Sequence, residues 1–182
     1  MNIWHDISQD RITPTRFFAV IEISKGGKNK YELDKQTGML MLDRVLYTST
    51  HYPANYGFIP RTLADDGDPL DVLVLCQESI QPMTLVECYP IGIIKMTDGE
   101  STDEKIIAIP MKDPSYNCFR DISELPSHRF DEIRHFFEVY KTLEAGSSTS
   151  VTEIGDTSAA VEVIESCITE YNKTFNKYFG RQ

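Results

Sequence analysis

The chain has 182 residues, of which 41% are hydrophobic and 25% charged, with a net charge of −10. That length predicts one domain, residues 1–182, with a core of its own, and the acidity argues against nucleic acid or an anionic membrane surface as a partner. Cys76, Cys88, Cys118 and Cys167 include no CxxC pair, so reduced thiols are expected rather than a zinc site. Residues 1–10 are too polar for a signal peptide and no stretch is long and apolar enough to cross a bilayer, which makes the cytoplasm the expected compartment.

The first two-thirds reads as strands and turns. Residues 17–23 are aromatic and β-branched, 24–29 form a Gly-Gly-containing turn, and 30–33 alternate as a half-buried strand does. A turn at 34–38 leads to a strand over 39–45. Further strands are predicted at 72–76, 84–96 and 105–109, with Pro60, Pro82, Pro110 and Pro114 marking loops. The last third changes period. Phe130, Ile133, Phe136, Phe137, Tyr140 and Leu143 recur at helical spacing with Gly146 as a stop, 147–156 reads as an exposed link, and a second amphipathic stripe runs from Ala160 to Tyr178. Strands followed by helices predict a mainly β member of the α+β class: a closed or nearly closed β-barrel with two C-terminal helices packed outside it.

The segment Asp65-Asp66-Gly67-Asp68-Pro69-Leu70-Asp71 puts four carboxylates within seven residues and no cation among them. Such a cluster is a solvated turn or an oxygen-rich metal site. Gly67 allows a sharp turn, Pro69 fixes its own φ, and the apolar run Val72-Leu73-Val74-Leu75 anchors the loop to a buried strand, the support a metal site needs. A second acidic turn, Asp98 to Glu104, follows the apolar run 90–96 and adds carboxylates from another strand end. Glu22 and Glu32 lie in strands among apolar residues, facing solvent or lining a barrel mouth. Lys30, Arg44, Lys105 and Lys141 are each surface cations or parts of one phosphate site. In 52–58, at least one tyrosine packs in the core, and the other is a candidate hydrogen-bond donor.

Several motifs in order resemble the soluble inorganic pyrophosphatases of the magnesium-dependent, bacterial type (family I). They are Tyr52-Pro53-x-Asn55-Tyr56-Gly57, Asp66-Gly67-Asp68-Pro69-Leu70-Asp71-Val72, Lys95-Met96-Thr97-Asp98 and Phe136-Phe137-Glu138-x-Tyr140-Lys141. The resemblance spans residues 18–143. It implies an oligonucleotide-binding-fold-like barrel and the hydrolysis of inorganic diphosphate to two phosphates by a metal-activated water, driving biosynthesis forward. It implies metal ligands at Asp66, Asp71, Asp98 and Asp103, with Glu22 and Glu32 as outer ligands, largely through water. It implies Asp68 as general base and Tyr56 as a catalytic and substrate-binding phenol, with Lys30, Arg44, Lys105, Tyr140 and Lys141 on the phosphates. Several Mg²⁺ ions per site are implied, with Mn²⁺ or Zn²⁺ as substitutes and Ca²⁺ inhibitory, and a homo-oligomer, usually a hexamer, in which His135 is a candidate contact residue.

The chain departs from the family at Gly99, where relatives often carry an acid that Glu100 or Glu104 would have to replace, and at 147–155, which lacks a Lys-Trp-rich stretch. Three rival readings are a single-strand nucleic-acid-binding barrel, opposed by the charge; a calcium-binding protein, opposed by Asp71 and Gln77 at EF-hand positions that want Gly and Glu; and a metal-dependent phosphatase of organic esters.

Overall fold

The computed structural model describes residues 2–179 apart from Glu100 and Ser147, with side chains described as far as Phe175. In chain order the elements are β1 (Ile12–Thr13), β2 (Arg16–Ile23), β3 (Asn29–Leu33), β4 (Leu40–Val45), β5 (Asn55–Phe58), β6 (Asp71–Val74), β7 (Leu85–Asp98), β8 (Ser101–Pro110), α1 (Ser127–Val139), β9 (Thr149–Gly155) and α2 (Thr157–Phe179). The main sheet runs β1-β2-β5-β6-β8-β7-β9, and β2 also pairs with β7. That pairing closes β2, β5, β6, β8 and β7 into a ring, so the predicted barrel with two flanking helices is the architecture found. Strands β3 and β4 form a separate hairpin.

The strand sequences explain the two-sided burial. Val72 and Val74 on β6, with Ile106 and Ala108 on β8, pack into a cluster with Ala160, Ile164 and Cys167 of α2. Leu73 and Leu75, with Ile107 and Ile109, point the other way, into a cluster with Ile133, Phe136 and Phe137 of α1. Strands covered on both faces read as continuous apolar runs rather than alternating ones, and β6 and β8 are also the parallel pair of the ring. On β5, Gly57 is required by close approach: a Cβ there would lie 1.8 Å from the Val20 carbonyl oxygen of β2.

Three expectations change. The predicted link at 147–156 contains strand β9, which pairs antiparallel with β7 from Ile93↔Gly155 to Asp98↔Thr149; its polar outward residues hid an alternating pattern. The first helix stops at Val139 rather than at Gly146, and Tyr140 to Gly146 follow as turns and a bend. Residues 55–58, read only as an aromatic cluster, form a fully buried strand. The Glu100 expectation and the Tyr178 side chain lie outside the described residues. Among the described residues no helix is long and apolar enough to cross a membrane.

Candidate active site

The acidic loop is a tight turn fixed to the barrel. Gly67 adopts φ 86°, its N–H donates to the Ala64 carbonyl at 3.0 Å, and Ala64 N–H donates to the Asp68 carbonyl at 2.8 Å. Asp66 Oδ1 accepts from Asp68 N–H at 2.9 Å, an Asx turn that presents the loop's carboxylates together. Beneath it Thr62, fully buried, donates to the Ile59 carbonyl and accepts from Leu70 N–H at 2.8 Å.

Register then sets the charge pattern. Asp71 and Lys105 are paired residues of the parallel β6–β8 ladder. Lys105 is only 3% exposed, yet its Nζ lies 2.6 Å from Asp71 Oδ2, 2.9 Å from Asp103 and 3.0 Å from the Tyr56 hydroxyl. Burial alone would pull the ammonium pKa down; the Asp71 and Asp103 carboxylates outweigh it and hold the pKa above the ordinary lysine value. The faces of Tyr56 and Phe137, 5.4 and 5.5 Å from Nζ, complete a cation-favouring pocket. The Tyr56 hydroxyl also donates to Asp71, and burial followed by the Asp71 charge raises its pKa well above that of an ordinary phenol.

A cavity of about 290 Å³ gathers these groups. Glu22, Lys30, Glu32, Tyr56, Asp66, Asp68, Asp71, Asp98, Asp103, Lys105, Tyr140 and Lys141 all line it, joined by Tyr31 and Lys35. Every predicted site residue except Arg44 is therefore brought to one wall or another. Glu22, 7% exposed, accepts from Leu33 N–H at 2.8 Å, and its carboxyl is pushed up to about 8 by burial and by Asp71. Lys30 pairs with Glu32 and with Asp43 at 3.1 Å. Lys141 pairs with Asp98, a bond that outweighs burial and raises the lysine pKa. Tyr140 stacks on Phe136 at 5.2 Å, which in turn contacts Tyr52 at 4.8 Å. Tyr52 is thus the core tyrosine of the 52–58 segment and Tyr56 the one facing the charges.

Arg44 does not line this cavity. Its Nε donates to Glu144 at 2.8 Å, it also pairs with Asp43, and its Nη2 is buried with no hydrogen-bond partner. Glu104, a candidate replacement for the acid missing at Gly99, lines a different cleft against α2. His135 is exposed on α1. Sequence reasoning missed Lys35, whose ammonium pairs with Asp68, and the Asp43 and Glu144 partners of Arg44. A lone lysine in a turn carries no signal; Asp43, adjacent to Arg44, could have been flagged as its neutralising partner.

Carboxylates outnumber ammonium groups around the cavity by seven to four. Burial and the neighbouring Asp68, Asp71 and Asp103 charges raise the Asp66 pKa, the mark of an anionic cluster short of cations. Among the described residues no three acidic, histidine or cysteine side chains are gathered tightly enough to form a finished cage; Lys105 pairs with Asp71 and Asp103, and Lys141 with Asp98. The donor set, all hard oxygen, fits divalent ions that would relieve the excess charge.

A family model described as inorganic pyrophosphatase matches residues 19–172. A soluble inorganic pyrophosphatase of Chlamydomonas reinhardtii is 52% identical over 141 residues, covering 78% of this chain and 73% of that protein. The inorganic pyrophosphatase of Haloferax volcanii is 41% identical over 175 residues, covering 96% and 99%. The crystal structure of the Thermus thermophilus inorganic pyrophosphatase superposes with a TM-score of 0.90 at 41% identity, covering 94% of this chain and 99% of that one.

Proposed function

The chain belongs to the inorganic pyrophosphatase family and hydrolyses inorganic diphosphate to two phosphates, and we propose that it does so in the cavity at the end of β6 and β8, as one domain spanning residues 1–182. The observation that carries this reading is the convergence of Asp66 and Asp68 from the acidic loop, and of Asp71, Asp98 and Asp103 from β6, β7 and β8, with Lys30, Lys105 and Lys141 around one space.

Asp66, Asp71 and Asp103 would be the direct ligands of the tighter metals, Asp98 together with Asp103 would hold a metal delivered with the substrate, and Glu22 and Glu32 would hold outer ions, largely through water. Mg²⁺ is the natural occupant and Mn²⁺ or Zn²⁺ a substitute; such ions supply Lewis-acid neutralisation of phosphoryl charge and lower the pKa of a nearby water. Asp68 orients the attacking water and accepts its proton as the new P–O bond forms. Lys105, Lys141, Lys30 and the hydroxyls of Tyr56 and Tyr140 hold the phosphate oxygens in line, so that charge developing on the departing phosphate meets donors already in place. Arg44, which the family resemblance puts on a phosphate, would turn its buried and unpaired Nη2 towards the cavity to make that contact. Water adds across the P–O–P bridge, one phosphate leaves with the bridging oxygen, and no covalent intermediate with the protein forms.

Most of the residues lining the cavity are charged, which favours a small polyanion over an organic ester. Phosphate release measured with Mg²⁺ on diphosphate, ATP and p-nitrophenyl phosphate will show strong preference for diphosphate; equal turnover of all three would refute the assignment. Ca²⁺, larger and less exacting in geometry, will occupy the site with little turnover. A homohexamer acting in the cytoplasm completes the reading, with exposed His135 as a candidate contact, testable by sedimentation of the wild-type protein.

A further inference from the structure

The phosphate-facing groups are split between two supports. Asp71, Asp103, Lys105 and Tyr56 stand on barrel strands, whereas Lys30 and Glu32 stand on β3 of the separate hairpin. Among the described residues no hydrogen-bonded ladder joins the hairpin to the barrel. Besides the packing of Tyr31 on the core cluster shared with α1, it is held by single bonds: Leu33 N–H to Glu22 at the tip end of β3 and Arg44 to Glu144 on its far strand. A third hold lies at the tip.

The tip is a hydrogen-bonded turn. Asp34 N–H donates to the Met39 carbonyl and Gly38 N–H to the Asp34 carbonyl, both at 2.8 Å, while the Asp34 carboxylate accepts from Gln36 and Thr37 N–H. The turn carries Lys35 across to the acidic loop, where its ammonium pairs with Asp68. Asn2 Nδ2 donates to the Lys35 carbonyl at 2.9 Å, and the ammonium lies 5.8 Å from the ring of Trp4. Trp4 is itself buried and donates Nε1–H to the Thr62 carbonyl at 2.9 Å, directly under the acidic loop.

We propose that Lys35 is a positioning residue for diphosphate hydrolysis: its ion pair with Asp68 latches the hairpin across the cavity that both residues line and so holds Lys30 and Glu32 at the substrate. Lys35 acts through the hairpin; because its partner Asp68 is also the base, the split between KM and kcat is the readout that separates the latch from a direct effect on that carboxylate. The inference rests on the site reading given above. Both members of the pair are half exposed, 51% each, so the latch is a modest one that salt screens and that can open for substrate entry and product exit.

The test compares Lys35→Met and Lys35→Arg in the full chain with Mg²⁺. Three readouts are followed: amide exchange over residues 29–45, fluorescence of Trp4, the sole tryptophan, and steady-state kinetics on diphosphate. Lys35→Met will speed hairpin exchange, shift Trp4 emission and raise KM about fivefold, the scale of an exposed ion pair, with kcat nearly unchanged. Lys35→Arg will restore all three, and added salt will loosen the wild-type hairpin towards the methionine variant. Unchanged exchange in Lys35→Met, or a fall in kcat at constant KM, overturns the latch. Asp68→Asn, followed by exchange alone, separates this inference from the site reading: a loosened hairpin supports the latch whether or not that variant still turns over.

Discussion

The barrel and the β3–β4 hairpin are built on opposite principles. Around the ring, β6 and β8 bury both faces, and Leu73, Val72, Ile106 and Ile107 are wholly inaccessible. The hairpin leaves Met39, Met41, Leu42 and Val45 exposed; Lys30 with Glu32 and Asp43, and Arg44 with Asp43, pair within it, and apart from Tyr31 packing on the core its side chains are fastened to the rest of the molecule by charge, Arg44 to Glu144 and Lys35 to Asp68. Apolar burial is strong and indifferent to ionic strength, whereas exposed ion pairs are weak and screened. Stability thus lives in one region and adjustable contact with an anionic substrate in the other, and the acidic loop between them belongs to both.

The contrast can be broken or sharpened by substitution. The largest effect is expected at the loop. Asp68→Asn will slow diphosphate hydrolysis by about two to four orders of magnitude, the scale of general acid–base help, with an unchanged melting temperature; full activity would remove the base from the mechanism. In the barrel, Gly57→Ala forces a Cβ against the Val20 carbonyl and will cost about 3 kcal/mol in denaturant unfolding. A neutral result there would mean that β2 and β5 can part cheaply, and the division between regions would fail. The smallest effect is expected where α2 joins the barrel. The Asp121 carboxylate accepts from Ser123 N–H, Thr157 N–H and both hydroxyls, which hold it well below the usual carboxylate range. Asp121→Ala will cost about 1 kcal/mol at neutral pH, as for a lost helix cap. Because the folded-state pKa is depressed, that stabilisation is whole above the ordinary value of 3.8 and is lost as pH falls through the lower folded-state value. The gap between variant and wild type, measured by thermal melts against pH, will therefore narrow on acidification.

Much of the barrel was legible because burial on both faces writes itself as apolar runs, as in Val72 to Leu75 and Ile106 to Ile109. Strand β9 was not, since Thr149, Ser150, Thr152 and Glu153 give it the composition of a loop, and only its pairing with β7 makes it a strand. The end of α1 was misplaced because Tyr140 keeps the helical period of the apolar stripe although the helix has ended. In the site, the carboxylates of 65–71 announced themselves by density. The meeting of Lys141 with Asp98, 43 residues apart, carries no local signal and was reached through family motifs. Lys35 was invisible for a different reason: its partner lies across a cavity, and a lysine beside an aspartate in a turn is ordinary surface chemistry.

One detail of the ring constrains how this protein can change. Asp71 faces Lys105 because Val72, Leu73 and Val74 face Ile106, Ile107 and Ala108 in the same parallel ladder. Sliding either strand by a single residue would turn the charged pair away from the cavity and, in the same motion, exchange the apolar sets offered to the two helices. Insertions or deletions within 71–74 or 105–108 are therefore barred twice over. Drift in this lineage must be channelled into the connecting loops and the outer strand edges.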